Sequence, residues 1–175
     1  MKNLNLLINK LYSKNHNEAY KTFLFLENES LKSNITYCFF DSFLEMIDNE
    51  NSYIRTRGLL LISANAQWDI DNKIEINIDS ILSHIVDKKP SVSRMFIKSI
   101  PNITKYKENL INRIKMELSN ADISIYNNNM KPLVEKDINC ILYTSDASSA
   151  LLCLDPVALL LLQEQTLTKS RHCRA

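Results

Sequence analysis

The run Asn51-Ser52-Tyr53-Ile54-Arg55-Thr56-Arg57-Gly58-Leu59-Leu60-Leu61-Ile62-Ser63-Ala64-Asn65-Ala66-Gln67-Trp68-Asp69 decides the fold class. Ile54, Gly58, Leu61, Asn65 and Trp68 recur at helical spacing, and Leu59, Ile62 and Ala66 fill an adjoining line. Ser52 opens the helix, with Asn51 as an alternative cap. Gly58 is the one glycine in 175 residues. A glycine inside a helix costs ~1 kcal/mol against alanine, so a close helix crossing is the expected reason for it. A single glycine also nearly excludes glycine-cradled phosphate loops and argues against a hairpin-rich sheet.

Working outward, the flanks read as further helices. Upstream, Leu4, Leu7, Ile8 and Leu11 form one stripe, and about 17–31 carries Tyr20, Phe23, Leu24 and Leu31 near one face. Ser33 or Asn34 caps a helix to about Ile47, with a core face of Tyr37, Phe40, Leu44 and Ile47. Downstream of the Asp69–Asn72 turn, 73–86 has helical spacing despite its β-branched content. Pro90 or Ser91 starts the next helix, and Pro101 ends or kinks it. A helix over 108–118 and another from Pro132 complete the set, joined by a polar link anchored at Ile123 and Tyr126.

The helices repeat in pairs. Asp48 precedes Arg55 by seven positions, Asp87 precedes Arg94 by seven, and the two arginines lie 39 residues apart. A period near 40 residues matches stackable helical hairpins held by neighbour contacts. The expected fold is therefore all-α, a short right-handed α-α superhelix of HEAT-like hairpins.

The run 51–59, its continuation through Ala64-Asn65-Ala66 and Trp68-Asp69, the turn Asp87-Lys88-Lys89-Pro90, and Lys131-Pro132-Leu133 with Lys136-Asp137-Ile138 carry a family resemblance. Over residues 1–143 the chain resembles small HEAT-repeat, armadillo-like helical proteins of low-GC Gram-positive bacteria. That group is sometimes labelled SufBD, for iron–sulfur cluster assembly. The resemblance implies a helical scaffold and transfers no catalytic residues, and a fold alone does not select a function.

Composition divides the chain. Residues 1–143 hold 20 asparagines and 20 isoleucines; residues 144–175 hold neither, but carry 8 leucines. The expected organisation is a repeat domain over 1–143 and a distinct tail over 144–175. That tail is of foreign origin, disordered, or a short apolar C-terminal helix. Its apolar stretch, broken by Asp155-Pro156, falls short of the ~20 residues that span a bilayer. No signal-peptide pattern opens the chain. Cys38, Cys140, Cys153 and Cys173 lack paired spacing, so a reduced, cytoplasmic setting is expected, with Cys38 and Cys140 as small core residues.

Charge and chemistry narrow the function. Lys plus Arg number 21 and Asp plus Glu 20, a net +1 that gives no global drive toward nucleic acid. His16, His84 and His172 form no His-Glu-x-x-His motif, and no serine sits in a glycine-flanked elbow. No catalytic, cofactor or metal site is expected. The residues singled out are Arg55, Arg57, Arg94, Lys98, Trp68, Tyr53, Asp48 and Asp87. Arg55 and Arg94 either pair with Asp48, Asp87 or a neighbouring repeat's aspartate, or join Arg57 and Lys98 in a basic surface. Trp68 and Tyr53 either pack or anchor a partner. The expected function is a non-enzymatic binding or scaffold module for a protein; a nucleic-acid-binding HEAT-like protein is the alternative.

Overall fold

A computed structural model of the protein describes residues 2–144. Nearly all of the distinct tail, with Cys153, Cys173 and His172, lies outside the described residues.

The described residues contain α-helices and short 3-10 turns, and no strand. The helices are α1 (Lys2–Lys10), α2 (His16–Lys32), α3 (Phe40–Ile47), α4 (Ser52–Ala64), α5 (Lys73–Ile76), α6 (Ile78–Leu82), α7 (Pro90–Thr104), α8 (Ile111–Ser119) and α9 (Lys131–Thr144). In one layer α2 packs on α4, α4 on α7, and α7 on α9. Behind it α3 packs on α4, the turn Ser83–Val86 on α7, and α8 on α9. This is a stacked α-α arrangement in which each pair leans on its sequence neighbours.

The central helix α4 shows why the stack holds. Ten of its residues, from Ile54 to Ala64 with the exception of Thr56, are buried. Such a helix must be covered on nearly every side, and α2, α3 and α7 do so. Asn51 supplies its N-cap, its Oδ1 accepting from Tyr53 N at 2.9 Å. Gly58 sits at the α3–α4 crossing. A Cβ there would lie 2.8 Å from Met46 Cβ and 2.9 Å from the Phe43 carbonyl oxygen. Only a hydrogen in place of that methyl lets the helices approach so closely.

Four expectations about the elements are corrected or narrowed. The expected helix from Ser33 or Asn34 to Ile47 opens as a 3-10 turn over Asn34–Phe39 and is α-helical only over Phe40–Ile47. The stretch 73–86 is not one helix; it breaks at Asn77 (φ −106, ψ 17) and tightens into a 3-10 turn at Ser83–Val86. Asn77 Nδ2 donates to Lys73 O at 2.8 Å, so the side chain competes for backbone hydrogen bonding in a segment rich in β-branched residues. Of the two outcomes expected at Pro101, ending or kinking the helix, the first is removed: α7 continues to Thr104, with Lys105 N donating to Pro101 O at 3.1 Å.

The core face of α2 is the last correction. Ala19, Thr22, Phe23, Leu26 and Ser30 are buried, while Tyr20, Leu24 and Leu31 are exposed. Thr22 Oγ1 donates to Glu18 O and Ser30 Oγ to Leu26 O, each within its own helix. Hydroxyls satisfied this way can be buried, and their small size admits the next helix. Cys38 is likewise exposed, not a core residue.

Candidate functional site

The turns between helices carry the charged chemistry, and hydrogen bonds from adjacent hairpins hold them. Arg55, from the first full turn of α4, reaches the turn before α7. Its Nε donates to Asp87 Oδ2 at 2.8 Å and its Nη2 to Asp87 Oδ1 at 2.7 Å, a bidentate pair. Arg55 Nη1 donates to the carbonyls of Asn49 and Glu50, both at 2.8 Å. Asp87 Oδ1 also accepts from Lys89 N at 2.7 Å, and His84 Nδ1 lies 3.0 Å from Oδ2. Tyr126 Oη donates to the Asp87 carbonyl at 2.7 Å, from the following hairpin. Burial alone would raise the Asp87 carboxyl above its ordinary value. The hydrogen bonds from His84, Arg55 and the Lys89 amide outweigh it and hold the group well below.

Arg94 makes the corresponding reach one hairpin on. Its Nε donates to Asp137 Oδ2 at 2.6 Å, and Lys98 Nζ stands 3.8 Å from Asp137 Oδ1. Arg94 therefore pairs with α9, and not with Asp48 or Asp87. Asp48 is exposed and lines a cleft of about 530 Å³ with Glu50, His84, Lys88 and Lys89, above the buried Arg55–Asp87 pair. A third clasp holds the preceding turn. Lys107 Nζ donates to Asp69 O at 2.6 Å and Asn72 Oδ1 at 3.0 Å, and pairs with Asp69 Oδ2 at 3.0 Å. Tyr37 Oη donates to Asp69 Oδ1 at 2.9 Å from the other side.

Arg57 is buried, and its Nη1 donates to Leu11 O at 2.7 Å, just beyond the end of α1. Burial draws its pKa down, but a guanidinium keeps its proton, and the carbonyls at a helix C-terminus favour a cation. Arg55 and Arg57 are only 7% and 6% exposed, so the four cations do not form one exposed basic surface. Arg94 and Lys98 remain at the surface, their side chains 27% and 51% exposed.

Trp68 packs across a hairpin boundary: its Nε1 donates to Ser30 O at 2.7 Å. Asn65, fully buried beside it, donates to Ser30 Oγ and Leu61 O and accepts from Thr36 Oγ1. Tyr53 is 60% exposed, its ring 4.9 Å from that of His16. Among the described residues no cluster of three or more His, Cys, Asp or Glu is placed to hold a metal ion. None of their helices is long and apolar enough to cross a membrane.

The sequence singles out Asp87 as a site residue but not Asp137, Asp69, His84 or Lys107, and it reads Tyr126 as a packing anchor of the polar link. Tyr126 stands 39 residues after Asp87, the same period that relates Arg55 to Arg94, and that spacing was the available signal. Asp137 falls outside the period because the link over 119–129 lengthens the last hairpin.

No family model, no curated protein and no solved structure matches this chain.

Proposed function

We propose that the chain is a non-enzymatic, HEAT-like helical-repeat module that binds a protein partner. The observation that carries this reading is how the side chains are divided. Most of the turn chemistry is consumed between hairpins, while Tyr20, Leu24, Phe25, Leu31, Tyr53 and Met95 stay 42–60% exposed. Large apolar and aromatic side chains left at a surface are the usual anchors of protein interfaces. A stack holds the backbone that carries them in place, which lowers the ordering cost of binding.

Affinity capture with the full chain, followed by titration of each captured protein in purified form, tests the reading. A saturable protein partner is the expected result; repeated capture without one overturns it. The nucleic-acid alternative rests on Lys98 with Lys88, Lys89 and Lys105, since Arg55 and Arg57 are turned to internal partners. It predicts oligonucleotide binding that strengthens steeply as salt falls; no shift at low salt removes it.

A further inference from the structure

The two central helices of the layer differ in charge from the helices behind them. Together α4 and α7 carry Arg55, Arg57, Arg94 and Lys98 and no acidic residue. Behind them α3 carries Asp41 and Glu45 and no basic residue, and α6, which runs into the Ser83–Val86 turn packed on α7, carries Asp79. Asp87 neutralises Arg55, and the Arg57 partner is a carbonyl. Arg94 and Lys98 share the single carboxylate of Asp137, which leaves one positive charge over at the surface.

The exposed side of α7 is a narrow stripe. Ser91, Met95, Lys98, Asn102 and Lys105 are all exposed and follow one another at helical spacing. Met95, 46% exposed, is its large apolar residue. Lys98 and Lys105 lie two turns apart, about 10 Å along the axis. Lys88 and Lys89 precede the helix and add to the positive end of its dipole. Tyr53 stands exposed at the start of α4, against which α7 packs.

We infer that this face of α7 receives an acidic, apolar-anchored polypeptide segment of the protein partner. Its apolar side chain covers Met95, and its carboxylates, spaced one to two helical turns apart, meet Lys98, Lys105 and the outer edge of Arg94. The flexible thioether of Met95 adapts to more than one apolar side chain. The lysines discriminate by sign: a basic or phosphate-binding segment meets like charge. The inference rests on the protein-binding reading and names the chemistry of the partner.

Selection of a random peptide display library against the full chain tests it. The expected result is enrichment of peptides with Asp or Glu flanking an apolar residue. Lys98→Glu with Lys105→Glu should weaken the selected peptides at least tenfold. Peptides with Lys in place of those acids should recover the variant, which shows that it is folded. Met95→Ala should weaken binding several-fold in the original chain. Enrichment without acids, or peptides indifferent to the lysine reversal, overturns the inference and leaves the protein-binding module standing. Displacement of the peptides by a mixed-sequence oligonucleotide at physiological salt overturns it in favour of nucleic acid. Absence of any enriched peptide overturns it too, and a failure of affinity capture as well would remove the binding module.

Discussion

Arg55 and Arg94 stand 39 residues apart and hold structurally corresponding places, yet their surroundings give them different weights. Arg55 and Asp87 are almost wholly withdrawn from water, their side chains 9% and 3% exposed. Removing one partner of such a pair strands the other charge, which costs about 3–5 kcal/mol. Asp87→Asn should therefore lower the unfolding free energy by about that much, as read from urea denaturation. Arg94→Met should cost less, about 1–2 kcal/mol, because the Arg94 side chain is partly solvated. Equal losses from the two variants would contradict the graded burial.

The same aspartate sets a pH dependence. Its folded-state pKa lies below its unfolded value near 3.8, so its contribution is full above that value and is lost as pH falls through the folded value. The stability gap between the native chain and Asp87→Asn should be constant near neutrality and shrink below about pH 4. Denaturation midpoints from pH 7 to 2.5 give the comparison; a gap that stays constant to pH 2.5 would show that Asp87 is not the group responsible.

At the scale of elements, the α3–α4 crossing places the sharpest demand on the sequence. In an open helix Gly58→Ala would stabilise by ~1 kcal/mol. Here the added methyl meets the Phe43 carbonyl oxygen and Met46 Cβ, and overpacking of this kind costs about 1–3 kcal/mol. The net outcome should be a lower thermal midpoint, and a raised one would show that the crossing relaxes freely. Helix positions were legible because apolar spacing is a local property. The breaks were less so. The interruption at Asn77 and the passage of α7 through Pro101 depend on competing hydrogen bonds and packing against neighbours. The α2 face was misjudged for a related reason: hydropathy ranks Leu24 and Leu31 above Thr22 and Ser30, but the approach of α4 selects small residues.

Across the whole molecule, side-chain hydrogen bonds join each hairpin to its neighbour. The Thr36–Asn65 bond spans 29 residues, Arg55–Asp87 32, Trp68–Ser30 38, Tyr126–Asp87 39 and Arg57–Leu11 46. A stack built on nearest-neighbour contacts should lose structure from its ends. Amide hydrogen exchange should find the strongest protection in α4, covered by α2, α3 and α7, and progressively weaker protection toward α1 and α9. Uniform protection would indicate a single cooperative unit instead.

The division between what the chain spells out and what folding adds follows from the range of the forces involved. Apolar periodicity, one glycine and a 39-residue spacing of arginines were enough to determine an all-helical stack, because each reports on contacts within a helix or a hairpin. The partners of the charges were decided only in the tertiary structure. Arg55 could have faced Asp48, Asp87 or solvent; the packing of α4 on α7 brought Asp87 within 2.7 Å and removed the pair from water. That same packing left the α7 stripe exposed, and so decided which cations remain at the surface.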